Sequence, residues 1–151
     1  MKVIHVATPD QMAAFLWLAG QMHAESNFSE LQFDGQTYAN RLAYFMSSPD
    51  YMAILAQDAD GNYVGAAAAC VTRCDFGPDL LSHDRGIYVH PTRRGASAAK
   101  ALVAEYVRWA TELGVKRISI DVRAGVNPDR AEKFFQHMGF ETVGPAMVYR
   151  G

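Results

Sequence analysis

Polar and apolar positions alternate with a period that changes several times along the chain, and each change marks an element. Residues 2–6 have the two-residue period of a short strand. From Pro9-Asp10 onward, Met12, Phe15, Leu16, Ala19 and Met22 recur every three or four residues, the apolar face of a helix. Residues 24–36 carry no period and are expected to form a loop. Thr37 is the expected N-cap of a second helix, with Tyr38, Arg41, Leu42 and Phe45 at helical spacing and Pro49 closing it. Residues 51–56 and 63–72 then read as strands, joined by a hairpin turn at Asp60-Gly61.

The second half continues in the same manner. A strand beginning near Asp84 ends at Pro91. After a turn of small residues, Ala99, Leu102, Val103, Tyr106, Val107, Ala110 and Leu113 form one helical face, and Gly114 is a natural stop. Residues 117–122 alternate as a strand with Ile118, Ile120 and Val122 on one side. A last helix over 128–138 opens with Pro128 and turns Ala131, Phe134, Phe135 and Met138 inward. A closing strand is expected over 143–149, bent at Gly144-Pro145. Hairpin strands followed by a crossover helix predict one α/β or α+β domain, residues 1–151, with a mixed sheet.

Composition narrows the functional classes. Half of the 151 residues are apolar and the net charge is −2, which supplies no broad basic field for a nucleic-acid backbone. No apolar run approaches the roughly 20 residues of a membrane span, and the first residues lack a signal-peptide pattern. A cytoplasmic location is the default expectation. On a single strand, Cys70 and Cys74 would lie roughly 13 Å apart, beyond disulfide reach. The histidines and cysteines are scattered without the spacing of a zinc motif, so no metal is expected.

Candidate chemistry concentrates where Ile87, Tyr88 and Val89 run through His90 and Pro91 into Arg93, Arg94, Gly95, Ala96, Ser97, Ala98 and Ala99. A helix start leaves backbone N–H groups unpaired and carries partial positive charge. Small side chains there let a phosphate approach, and arginines add forked donors. The stretch contains a single glycine and fits neither the P-loop nor the dinucleotide fingerprint. An anion-binding turn and an ordinary β-turn-α junction both remain open on local chemistry.

The order of this turn, the long helix, the strand near 117–122, Asn127, a short helix and Gly139-Phe140 resembles the GNAT superfamily of N-acetyltransferases. Arg94 and Ala99 match the signature turn of that family, whereas Ser97 stands where a glycine is usual. The resemblance implies a mostly antiparallel central sheet of about six or seven strands flanked by about four helices. It implies that the strands carrying 87–89 and 118–122 splay apart to admit the pantetheine arm of acetyl-CoA. Backbone groups of Ile87, Tyr88 and Val89 would pair with that arm, and the amides of residues 95–99 would hold the pyrophosphate. Asn127 and Phe135 would lie beside the arm. Family members often dimerise, so a homodimer is a further expectation.

Acetyl transfer to an amine requires deprotonation of the amine, stabilisation of the thioester oxygen and departure of a thiolate. Many family members place a tyrosine four residues before the Gly-Phe pair, where this chain has Phe135. Tyr149 and Tyr88 are candidate replacements, with packing in a strand as the alternative for each. Glu25 is the candidate base or amine ligand, with a solvated helix end as its alternative; Asp84 lies close to the family's strand glutamate without matching its register. Glu25, Phe28 and Phe33 belong to an acidic, aromatic segment suited to a small-molecule, amino-acid or protein amine, or to a partner subunit. The expected activity is therefore acetyl-CoA-dependent N-acetyl transfer within a ternary complex. A non-catalytic acyl-CoA sensor and a protein-interaction module are the alternatives.

Overall fold

A run of four alanines, Ala66 to Ala69, occupies the centre of the molecule, and their size is what lets helices approach the sheet from both sides. The computed structural model describes residues 1–122 and 124–151, with the side chain of Ala96 outside that description. Its strands are β1 (Lys2–His5), β2 (Tyr51–Gln57), β3 (Tyr63–Arg73), β4 (Leu80–Val89) and β5 (Arg117–Ser119). They form one sheet in the order β1-β2-β3-β4-β5. All neighbouring pairs are antiparallel except β4 and β5, which are parallel. Helices α1 (Pro9–Glu25) and α2 (Gly35–Met46) precede β2, α3 (Ala96–Glu112) connects β4 to β5, and α4 (Pro128–His137) follows β5.

Each face of the sheet builds its own core. Ala67 and Ala69 face α3 and pack with Met52, Ile54, Leu102 and Tyr106. Ala66 and Ala68 face α1 and α2, where Phe15, Leu18, Leu42 and Leu55 cover them. At Gly65 the strands approach so closely that an added Cβ would lie 2.8 Å from the carbonyl oxygen of Tyr88. The fully buried Tyr106 hydroxyl donates to Ser119 O and shares a hydrogen bond with the Ser82 hydroxyl, both at 2.9 Å, and so fastens α3 to β4 and β5 together. Among the described residues no helix is long and apolar enough to cross a membrane.

The mixed, mostly antiparallel sheet flanked by helices matches the expected fold class, with corrections at several boundaries. Among the described residues five strands form instead of six or seven. Residues 143–149 are not a strand: Gly144 has φ +159°, Pro145 cannot donate to a ladder, and Val143, Met147 and Val148 stay exposed. β5 stops at Ser119 instead of continuing to 122, because the backbone N–H of Asp121 donates to Asp84 Oδ1 at 2.8 Å rather than to a neighbouring strand. β4 begins at Leu80, earlier than the pattern suggests, since Leu80 already pairs with Arg73.

The expected loop at 24–36 is partly helical. α1 continues through Glu25, and a 3-10 turn spans Asn27–Glu30. α2 starts before Thr37 because Asp34 is the N-cap, one of its oxygens accepting from Gln36 N at 3.0 Å and Thr37 N at 3.1 Å. Cys74 lies beyond the end of β3, and both cysteines are free thiols. Leu18, rather than Leu16, joins Phe15 in the buried face of α1, and no residue of α4 is fully buried.

On the outer surface of α3, Glu105 accepts from His5 Nε2 of β1 at 2.7 Å and from Arg108 Nε at 2.8 Å. The Arg108 hydrogen bond, opposed by partial burial and aided by His5, pushes the Glu105 carboxyl down to about 2. A folded pKa below the unfolded one adds stability above the unfolded value near 4.5 and loses it as pH falls toward 2. Urea denaturation should therefore show wild type losing more stability than Glu105→Gln between about pH 5 and about pH 2. Equal losses would mean that this link does not contribute to acid sensitivity.

Candidate active site

The site begins at an irregularity in β4. Ala68 pairs with Gly86 and Ala69 with Asp84, so Arg85 is the extra residue of a β-bulge. Gly86 has φ +141°, and a Cβ there would meet Met22 Sδ of α1 at 3.1 Å. The isolated glycine inside the strand pattern was the sequence signal for this bulge. Parallel pairing with β5 covers only Leu81, Ser82 and His83, opposite Arg117, Ile118 and Ser119. Beyond that point the two strands separate. The gap is an open cleft of about 60 Å³, lined by Met22, Asp84, Ile87, Asp121 and Phe135 among others.

At the far end of β4, His90 caps a 3-10 turn over Pro91–Arg93 and stacks on Trp17 of α1 with ring centroids 5.1 Å apart. Gly95 is the N-cap of α3 in extended backbone, contributes no capping side chain, and has nothing within 4 Å of where a Cβ would stand. The helix start therefore keeps its unpaired first-turn N–H groups under open space. Ser97 is exposed at this end. Ala98 is buried in the α3 core cluster, so its methyl group packs inward and leaves its backbone as the part available to a ligand. Ala99 is half-buried, and the side chain of Ala96 lies outside the described residues.

Both arginines of the turn have protein partners. Arg93 lies 3.6 Å from Asp58, and Arg94 Nε donates to Val89 O at 3.0 Å. The Arg94 guanidinium also pairs with Glu25 and sits 5.5 Å from the centre of the Tyr88 ring. Tyr88 in turn donates its hydroxyl proton to Glu25 Oε1 at 3.1 Å. Burial first, then the neighbouring Glu25 carboxylate, pushes the Tyr88 phenol up to about 12. The structure thus joins the end of α1, the end of β4 and the turn before α3 through Glu25, Tyr88 and Arg94. A phenol whose proton is held this firmly is a poor acid for a departing thiolate.

The other expected residues fall in three places. Phe135 lines the cleft, and Asn127 stands at the start of α4 with φ +50°. Phe28 is 48% exposed and Phe33 36%, the latter lying against His23 and Tyr38 with ring centroids 5.3 and 6.1 Å away. Tyr149 is 92% exposed in the C-terminal segment, where its neighbour Arg150 pairs with Glu30 of the 3-10 turn. Asp84 enters the cleft wall through the bulge, a placement its sequence register did not reveal. Also missed was the junction of Asn27 with the loop before α4, where Asn27 N donates to Ala124 O at 2.7 Å. Gly125 has φ +72° there, and a Cβ would collide with the Asn27 side chain.

The site is thus a mixed sheet whose β4 and β5 separate beside a helix start without a capping side chain. The Acetyltransferase (GNAT) family model matches residues 16–140, and the chain belongs to that family. A probable glucosamine 6-phosphate N-acetyltransferase of Drosophila melanogaster is 26% identical over 145 residues, 95% of this chain. The chain spans 62% of the length of that relative. An aminoglycoside N(6')-acetyltransferase type 1 of Salmonella typhimurium is 31% identical over 67% of this chain and 70% of its own. Among solved structures, glucosamine-6-phosphate N-acetyltransferase from Arabidopsis thaliana superposes with a TM-score of 0.77 at 14% identity, covering 98% of this chain and 96% of that one.

Two substitutions test the geometry. Gly86→Ala should cost about 1–3 kcal/mol, read by urea denaturation, because it combines an unfavourable φ with the Met22 contact; an unchanged midpoint would remove the bulge from its place in the site. If Glu25 receives an amine, Glu25→Gln should raise the KM for that amine about tenfold while coenzyme affinity holds or rises, since Arg94 is released toward the turn before α3. Identical kinetics would leave Glu25 as a structural partner of Arg94 and Tyr88 alone.

Proposed function

We propose that this chain transfers the acetyl group of acetyl-CoA to an amine held between α1, α2 and the bulge of β4, directly within a ternary complex. The observation that carries this reading is the separation of β4 from β5 past His83, next to the open N-terminus of α3. The residues present fit the coenzyme. On its edge away from β3, β4 has no strand partner beyond His83 among the described residues, so backbone groups of Ile87, Tyr88 and Val89 would hold the pantetheine arm. The amides of residues 95–99 would hold the pyrophosphate, where the space above Gly95 leaves room and the Ser97 hydroxyl adds a donor. Asn127 and Phe135 would border the arm, and Arg93 would flank the phosphates.

The coenzyme supplies an acetyl group already activated as a thioester. The chain supplies position and proton handling. Glu25, 31% exposed at its side chain, attracts the cationic amine and accepts its proton directly or through water. Tyr88 and Arg94 fix the orientation of that carboxylate. Phe28 and Phe33 give the acceptor side its apolar rim. Phe135 carries no proton, so in this reading the thiolate leaves into an open cleft without a tyrosine donor. The same phenylalanine favours the second reading, an acyl-CoA-binding protein that does not turn over.

Calorimetric titration with acetyl-CoA, coenzyme A and dephospho-coenzyme A tests the reading. Micromolar binding, about −8 kcal/mol, is expected. Gly95→Val should lose it by more than tenfold without loss of fold, since nothing crowds a side chain at that position except the proposed pyrophosphate. Equal binding by the variant would move the coenzyme off this turn. Tight binding with no amine-dependent thiol release would establish the non-catalytic reading.

A further inference from the structure

The bulge that opens the cleft also presents a cation to the opposite face of the sheet. Arg85 lines a groove between the helices and β4, together with Phe15, Leu18 and Met22 of α1, Tyr38 of α2, and Tyr88. Among the described residues the Arg85 guanidinium has no carboxylate partner; its one ring contact is with Phe45, 5.9 Å away. The Tyr38 hydroxyl makes no hydrogen bond among the described residues. Arg85 is close enough for its charge to lower the Tyr38 phenol, against the larger upward effect of burial. A cation and a phenolic donor thus converge in a groove whose remaining walls are mainly apolar. Met22 and the Gly86 bulge separate this groove from the β4–β5 cleft, and Met22 lines both. Tyr88 links the same groove to Glu25.

We infer that Arg85 and Tyr38 form an anion subsite for the acceptor, so that the amine substrate carries a carboxylate or phosphate held there while its nitrogen lies toward Glu25. The assignment rests on the acetyl-transfer reading for the identity of the ligand as an acceptor. Charge complementarity decides between acceptor classes. A polycationic amine would satisfy Glu25 but would place a positive group beside an unpaired guanidinium, whereas an amine bearing an anion satisfies both ends. The planar fork of Arg85 suits either anion, with Tyr38 as an additional donor.

The test uses matched acceptors that differ in the anion: glucosamine 6-phosphate against glucosamine, and glycine against glycinamide. The first pair reads phosphate and the second carboxylate. In at least one pair the anionic member should be favoured at least tenfold in kcat/KM, through KM. Arg85→Gln should abolish that preference by raising KM for the anionic member at least tenfold, to that of the neutral one, and Arg85→Lys should restore part of it. The same compounds are titrated calorimetrically into the protein saturated with coenzyme A, which reads the subsite without turnover. Binding of the anionic member that is lost in Arg85→Gln, with no transfer to any amine, would support the subsite and reject the transfer reading. No discrimination within either pair, in transfer or in binding, or discrimination that survives Arg85→Gln, would overturn the subsite.

Discussion

Past His83, β4 keeps β3 as its neighbour and gives up β5. The extra residue at Arg85 and the left-handed backbone of Gly86 turn the strand away from β5 just after their pairing, and the Asp84 side chain takes the Asp121 N–H that a longer ladder would have used. Tyr106 holds the paired portion shut by bonding Ser82 on one strand and Ser119 on the other. The sheet is therefore fastened at one end and open at the other. The cleft, the free edge at residues 87–89 and the outward placement of Arg85 all follow from that one bulge.

Small side chains make the arrangement possible. Alanines along β3 and the glycine at position 65 bring α1 and α3 close to opposite faces of the same strand. Close packing puts Met22 directly against Gly86, so the bulge is braced from the α1 side rather than left to flex. It also lets the end of α1 reach the turn after β4, where Glu25 meets Arg94 and Tyr88. The carboxylate proposed to receive the amine and the arginine beside the proposed pyrophosphate are therefore one ion pair, and the two halves of the site are physically joined. The half-exposed position of this pair limits its share of stability to about 0–1 kcal/mol, so its importance lies in orientation.

The elements with a strong period were legible in the sequence. The long apolar stripe of α3, the Asp60-Gly61 hairpin and the small-residue turn before α3 all stand where their patterns place them, because local hydrogen bonding and burial of one face decide them. Boundaries were lost where a side chain replaces a backbone partner: Asp34 starts α2 before Thr37, and Asp84 ends the role of β5 before Ile120. The segment 143–149 has strand-like residues, but Gly144 and Pro145 interrupt it.

The sequence by itself determined the periodic elements and the small, basic make-up of the turn that carried the family resemblance, since these are properties of neighbours along the chain. It also marked Glu25 as a carboxylate at a helix end. Only the tertiary structure decided that Glu25 pairs with Arg94, that Tyr88 keeps its proton, that Ala98 belongs to the core, and that Arg85 faces an apolar groove. Those outcomes depend on residues distant in sequence meeting across a sheet, and a one-residue bulge changes which face each of them finds.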